Sequence, residues 1–533
     1  MNEILFKYDQ VNPVTWVYLS SLLTIALFFK FKRFWSVRNL DVILLILLTP
    51  GLLMIDAGHQ VRVASQDVVV ANGAQESNTN ATSVVPTDLL SQDSPAETVA
   101  GVEVPLLEEE GSAEVTSLDA DSETVSTGPQ EGETEAGETE DDESVAAIGM
   151  ATERVGYIWM FVVCGLWLVR LLADPNMVRR PLLEPNLTVG GLTFLGCFLF
   201  LFIMANVVTG TPTDDDLDGA KGAQELIERR AIEEGDDSFQ RHGPGYALLF
   251  LLPSIRTLPG TISDLPTQSQ DAFNRRTAKI MAIAAQLAVA FGMIFIGYRH
   301  FNNVCTGIGA ATLYLLLPYT AQMTGRVPHV LPAALLIWAV ACYRRPMIAG
   351  IFIGVAMGTI YSPLYLLPLW ISFYWRRGLV RFVGGFLIAT LVMVLSLLFK
   401  ATDIASFVMM TRQMFGIVMP RMEGIQGIWE LGWDPIFRLP AFGLFIVMSF
   451  TFALWPAQKN LGTLLSCSAA IMVATQFWHG YGGGLFLGWF LPLMLLTIFR
   501  PNLEDRVALS VLGEGWLSGR FSQNTAPSDR LVA

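Results

Sequence analysis

The chain has 533 residues, of which 52% are hydrophobic and only 15% charged, whereas a soluble domain carries about 25% charged residues. That composition excludes an ordinary soluble enzyme and places the chain in a lipid bilayer. The net charge of −14 is local in origin: between Ala64 and Met150 stand 21 Asp and Glu and no Lys or Arg, so the remainder is mildly basic at +7. The acidic total therefore implies no basic partner, and nothing points to nucleic acid.

A helix needs about 20 apolar residues to cross the hydrocarbon core, because its backbone polar groups must be satisfied within the segment. Apolar runs of that kind predict spans near 13–29, 39–55, 155–173, 190–208, 278–297, 304–320, 329–343, 347–360, 361–375, 383–399, 440–456, 461–477 and 483–499. The first run lacks a basic leader and an Ala-x-Ala site, and is expected to be a retained span rather than a signal peptide. The pair across 347–375 is interrupted by Ser362-Pro363 and is expected to be a broken hairpin. The fold class that follows is all-α: a polytopic integral membrane protein of about 12 to 14 transmembrane helices. Cys164, Cys197, Cys305, Cys342 and Cys467 each sit in or beside an apolar run without CxxC spacing, so neither disulfides nor a zinc site is expected.

Basic residues orient these spans. Lys30, Lys32, Arg33 and Arg38, then Arg179 and Arg180, then Arg299, Arg344, Arg345, Arg376, Arg377, Arg381, Lys459 and Arg500 fall on alternate loops. One parity satisfies them all, with the N-terminus outside and the C-terminus in the cytosol of a multi-pass cell-membrane protein. Arg275, Arg276 and Lys279 fall at an outer end instead. The organisation expected is a two-helix hairpin over 1–55, a disordered acidic extracytoplasmic linker over 56–153, and two membrane helices over 154–208. A second outer loop over 209–277 with a short apolar segment, a multi-span core over 278–500 and a cytosolic tail over 501–533 complete it. The linker is too poor in apolar residues to offset its ordering entropy. Residues 401–438 mix Trp429, Trp433, Met409, Met410 and Met414 with Arg412, Arg421, Glu423 and Asp434, a composition suited to an amphipathic segment at the membrane interface.

The chain carries no Walker loop, HExxH or GxSxG, and its five His have no ligand spacing. The stretch over 314–385 is more informative. It holds Thr324-Gly325-Arg326-Val327-Pro328-His329, the pair Arg344-Arg345, and Ala349-Gly350 with Gly354 and Gly358. Tyr361-Ser362-Pro363 and a second basic turn at Arg376-Arg377 follow. Glycines every four positions let helices approach closely, and broken helices at membrane depth must line a cavity or be buried in protein. That predicts a pocket near the outer leaflet bordered by Arg326, His329 and Tyr361, with ordinary kinked packing as the alternative.

This stretch resembles the polyprenyl-phosphate-sugar-dependent glycosyltransferases of the GT-C fold, in particular glycosyltransferase family 87, through Gly325, Arg345, Ala349-Gly350 and Pro363 in that order over roughly 75 residues. The family's Lys before the break has no counterpart in Gly358-Thr359-Ile360-Tyr361, and Arg326 and His329 replace its amide residues. The resemblance implies a GT-C-like fold and transfer of a sugar from a polyprenyl-phosphate donor to an extracytoplasmic acceptor. It also implies a catalytic carboxylate in a large outer loop, which acts as general base or holds a divalent metal, Mg²⁺ or Mn²⁺. Asp214, Asp215 and Asp216 stand at that place, with Asp56, at the outer end of the second span, as a further candidate. Arg326, His329, Tyr361 and Arg412 are the groups expected around a phosphate-bearing donor, Arg being suited to bidentate phosphate contact. A transporter or lipid flippase, and a non-catalytic scaffold that works through its acidic loop, are the alternatives.

Overall fold

The apolar runs become helices, and no β-strand occurs among the described residues. The computed structural model describes residues 12–82, 134–177, 183–228, 242–254, 267–375, 377–417, 425–457, 459–481 and 485–501. In chain order the helices are α1 (Pro13–Phe28), α2 (Val37–Thr82), α3 (Thr134–Ala173), α4 (Val189–Thr209), α5 (Asp214–Glu228) and α6 (Pro244–Ser254). Then come α7 (Thr267–Arg299), α8 (Val304–Leu316), α9 (Val327–Ala341), α10 (Pro346–Thr359) and α11 (Leu367–Phe373). The last are α12 (Leu379–Leu397), α13 (Ile404–Met414), α14 (Arg438–Leu454), α15 (Leu461–Thr475) and α16 (Leu491–Phe499). The local sequence explains many of the starts. Asn12, Thr188, Asn303 and Asn460 accept a hydrogen bond from the first turn of α1, α4, α8 and α15, and Pro opens α1, α9, α10 and α16, where its missing N–H costs nothing.

Six helical stretches are long and apolar enough to cross a membrane: Val37–Ser65, Ser144–Asn176, Val189–Thr209, Ser269–Arg299, Leu379–Leu397 and Pro435–Leu454. The chain is accordingly a membrane-embedded, all-α protein. The remaining apolar helices are shorter. The 13 residues of α8 reach about 20 Å, short of the roughly 30 Å of hydrocarbon. Burial varies widely among the helices. All 15 residues of α15 are buried, and so is every residue of α16, whereas α4 turns Phe194, Phe198 and Leu201 outward. Exposed apolar surface on that scale is a liability in water and the normal state in lipid. Of the short helices, α15 and α16 are packed by protein, while α1 and α13 expose apolar side chains as the long helices do.

The chain divides into two units, Met1–Asp56 with Thr152–Ala533, and Ala57–Ala151. In the smaller unit α2 and α3 approach closely at Gly149, where a Cβ would lie 3.1 Å from the Gly58 carbonyl. Helix α2 continues to Thr82 and α3 begins at Thr134, so helix reaches into both ends of the acidic segment expected to be disordered. Residues 83–133, where the rest of that expectation falls, lie outside the described residues, as do 502–533 of the expected cytosolic tail.

In the larger unit, helix ends meet at two polar clusters, or poles. At one pole Arg170 of α3 makes a bidentate pair with Asp41 of α2, at 2.7 and 2.9 Å. It also reaches Asp174 at 3.2 Å, and Arg500, beyond α16, holds the other oxygen of Asp174 at 2.6 Å. Lys30 donates to Asn186, 156 positions further along the chain, and Phe28 packs edge-on against Phe499. At the other pole α4 ends against α7, and Lys279 donates to the carbonyl of Val208 at 2.7 Å. That contact gives one of the three cations that dissent from the parity a local role, since the last carbonyls of a helix have no partner of their own.

The break at Ser362-Pro363 is present: α10 stops at Thr359, a 3-10 turn runs Ser362–Leu366, and α11 follows. The glycine stripe does what its spacing predicts. A side chain at Gly350 would collide with the Phe382 carbonyl of α12, one at Gly358 with Met393, and one at Gly354 would stand 2.8 Å from the Ala389 Cβ.

Candidate functional site

The second pole holds an uncommon concentration of polar groups. Thr213-Asp214-Asp215-Asp216 opens α5 as a capping motif: Thr213 is the cap residue and Asp216, three positions on, reaches back to it. The Thr213 backbone N–H donates to Oδ2 of Asp216 at 3.1 Å and its hydroxyl donates to the same oxygen at 2.8 Å. Asp216 is buried, and its Oδ1 has no hydrogen-bond partner among the described residues. The Arg326 guanidinium, on the residue that precedes α9, bonds the Thr213 hydroxyl and stands 3.8 Å from Oδ2 of Asp216. Burial pushes the Asp216 carboxyl above the usual carboxylate range, while Arg326 and the two bonds from Thr213 pull it back. The desolvation cost is the larger of these opposed effects.

Two further elements close around this group. His242 stacks on Tyr246 with ring centroids 4.3 Å apart, and the Tyr246 ring lies within electrostatic reach of Asp216. The segment that carries them, His242-Gly243-Pro244-Gly245-Tyr246, needs both glycines. The Gly243 N–H donates to the Thr359 carbonyl at 3.0 Å, and a side chain at Gly243 or Gly245 would strike Gly358. The start of α6 therefore rests directly on the end of α10. Beside it, Lys400 pairs with Glu225 at 2.7 Å. A cavity of about 30 Å³ is lined by Asp218, Gly222, His242, Tyr246 and Lys400, which is room for about two water molecules.

His329, one turn into α9, is held from two sides. Its Nδ1 hydrogen-bonds the Tyr319 hydroxyl at 2.7 Å, and its ring lies 4.5 Å from that of Phe486. Trp489 donates to the Pro328 carbonyl at 2.9 Å. Phe486 in turn packs on Trp489 and on His479, and His479 stacks on Tyr361 at 6.2 Å. Tyr361 also faces Trp478. Arg438 donates to the Trp478 carbonyl at 3.0 Å, and the buried hydroxyl of Ser362 has no hydrogen-bond partner among the described residues. An aromatic row thus leads from His329 to Tyr361.

Of the residues singled out in the sequence, the fold brings Asp216, Arg326 and His329 to one place and joins Tyr361 to them through Phe486 and His479. Asp214 is exposed and Asp215 half-buried on the first turn of α5. Asp56 is half-buried on α2, and Arg412 is exposed on α13. None of these last two is among the groups that act on Asp216. Arg421 lies outside the described residues. Sequence reasoning passed over Tyr319, His479, Phe486 and Trp489, which carry no motif. His242 and Tyr246 had a signal in their Gly-Pro-Gly frame. Among the described residues no group of three or more His, Cys, Asp and Glu could hold a metal ion, and a guanidinium already stands beside Asp216. These residues do not form an oxygen-ligand cage for Mg²⁺ or Mn²⁺.

Compared with family models, curated proteins and solved structures, the chain matches none.

Proposed function

We propose that this chain is a membrane glycosyltransferase that moves a sugar from a polyprenyl-phosphate donor to a hydroxyl acceptor, at the pole that holds Asp216, and that this pole is the extracytoplasmic one. One observation carries the reading: three groups from distant parts of the chain, a buried carboxylate, a guanidinium and an imidazole, converge where α5 and α9 begin.

In this reading the acceptor oxygen bonds to the anomeric carbon as the bond from that carbon to the donor phosphate breaks. The bonding pair leaves with the polyprenyl phosphate. The acceptor proton passes to Oδ1 of Asp216, the oxygen that the cap does not use, and burial makes that oxygen more basic than an exposed carboxylate. The Arg326 side chain, 40% exposed, faces the phosphate, where a planar fork of donors suits two phosphate oxygens. His329, oriented by Tyr319, lies on the same side, and the row from Phe486 to Tyr361 supplies flat apolar surface for a sugar ring. Acceptor, donor and surrounding lipid are the partners this requires.

The test is Asp216→Asn in the full chain. Asn keeps an oxygen for the Thr213 N–H, so α5 retains its cap, but the base is gone. Turnover of a radiolabelled polyprenyl-phosphate sugar is expected to fall on the order of 100-fold or more, with Asp214→Asn and Asp215→Asn close to the parent. Undiminished turnover in Asp216→Asn removes the carboxylate from the reaction and the reading with it.

A further inference from the structure

Helix α13 offers a second site, which does not depend on sugar transfer. It follows α12 after a short turn, and Asp403 fixes its start by accepting from the Ser406 N–H at 2.7 Å. One face is fastened to the protein: Met414 is buried, and Phe407 and Met410 pack on the core. These positions recur at helical spacing, i, i+3 and i+7. The opposite face should then be polar if it met water. It carries Ile404, 83% exposed, with Val408 and Met409, and Ile417 just beyond the helix. In its midst, one turn from the C-terminal end, stands Arg412, exposed and with no side-chain partner among the described residues. The face forms an open groove of about 790 Å³ lined by Ile404, Val408, Met409, Arg412 and Ile417.

The apolar surface does not begin at α13. Leu391, Val392, Leu395, Leu398 and Phe399 are exposed along the end of α12, a helix long and apolar enough to cross the membrane, and α13 packs against that helix. The exposed stripe thus runs from a lipid-facing helix directly onto the α13 groove, and its one charge has the sign that complements a phosphate. We propose that α13 is an interfacial helix whose outer face binds an anionic phospholipid of the surrounding bilayer, with acyl chain along Ile404, Val408 and Met409 and headgroup phosphate on Arg412. A long Arg stem can lie along the apolar surface while its head reaches the phosphate layer.

Two measurements on the full chain test this. A nitroxide is placed at Met409→Cys, with Lys221→Cys at an exposed position of α5 as the aqueous control, both in a background with Cys197, Cys305 and Cys342 changed to Ser. The protein is reconstituted in phosphatidylcholine and phosphatidylglycerol vesicles. At 409 collisions with oxygen should exceed those with a water-soluble nickel chelate several-fold, and at 221 the order should reverse. Chelate access at 409 equal to that at 221 would mean the face meets water. Low access to both reagents would mean that a protein covers it. Either result overturns the proposal. Native mass spectrometry supplies the second arm: the parent should retain phosphatidylglycerol over phosphatidylcholine several-fold, and Arg412→Gln should abolish that preference. An unchanged preference in Arg412→Gln places the phosphate elsewhere and overturns it equally.

Discussion

Asp216 shows how one side chain can serve two ends. Oδ2 completes the cap of α5, and Oδ1 is left buried without a partner. A pattern of Thr-x-x-Asp is a sequence-level signature of a helix start, so the exposed acidic run had a structural meaning that could be found without coordinates. The burial of its last member could not, because that depends on α9 and α6 closing over it. The raised carboxyl also fixes a pH dependence. A folded-state pKa above the unfolded value, about 3.9, means that the folded chain binds the proton more tightly. The corresponding stability is fully present below the unfolded pKa and is lost as pH rises through the folded one. Thermal unfolding of the detergent-solubilised chain across that acid window should show the parent losing stability, relative to Asp216→Asn, as pH rises. Parallel curves for the two proteins would show that the carboxyl is not perturbed.

At the scale of elements, the glycine stripe is where spacing and packing agree most directly. Gly350, Gly354 and Gly358 lie on one side of α10, because four residues make little more than one turn, and α12 presses on all three. Gly384, in α12, has no atom within 4 Å of the place where a Cβ would stand. The two positions make a matched test. Gly354→Ala must push against Ala389 and the Phe386 carbonyl, an overpacking that costs about 1–3 kcal/mol. Gly384→Ala meets nothing and gains helix propensity, about 0.5–1 kcal/mol. Thermal unfolding in a single detergent should therefore move down for the first and level or up for the second. Equal shifts would deny that α10 and α12 are in close contact. The break after α10 was also legible, since Pro cannot donate to the preceding turn and disfavours helix in the residue before it.

For the molecule as a whole, the alternation of basic loops predicts one orientation in the membrane. Lys30, Arg170, Arg344 and Arg500 belong to helix ends on one side of the alternation. In the structure Arg170 and Arg500 meet through Asp174, and Asp216, Arg326 and Lys400 lie at helix ends of the other parity. The proposed orientation has a direct consequence. In intact cells, and with Cys197 changed to Ser, Asp214→Cys should react with a membrane-impermeant maleimide added outside, and Trp35→Cys, 94% exposed in the parent, should react only after the membrane is opened. The reverse pattern would turn the protein over and put the Asp216 pole in the cytosol.

What the sequence determined alone is the class and the rhythm: a bilayer protein of many helices, their approximate positions, the break at Ser362-Pro363 and the close approach of α10 to a neighbour. These follow from local rules, because apolar length, Pro chemistry and glycine spacing act within a segment or across one contact. Tertiary structure decided the rest. Which helices are wrapped in protein and which face lipid, that Asp216 rather than Asp214 is enclosed, and that His329 reaches Tyr361 through Phe486 and His479 all depend on contacts between segments far apart in the chain. Burial is a property of what surrounds a residue, and no periodicity within α5 or α9 encodes its neighbours.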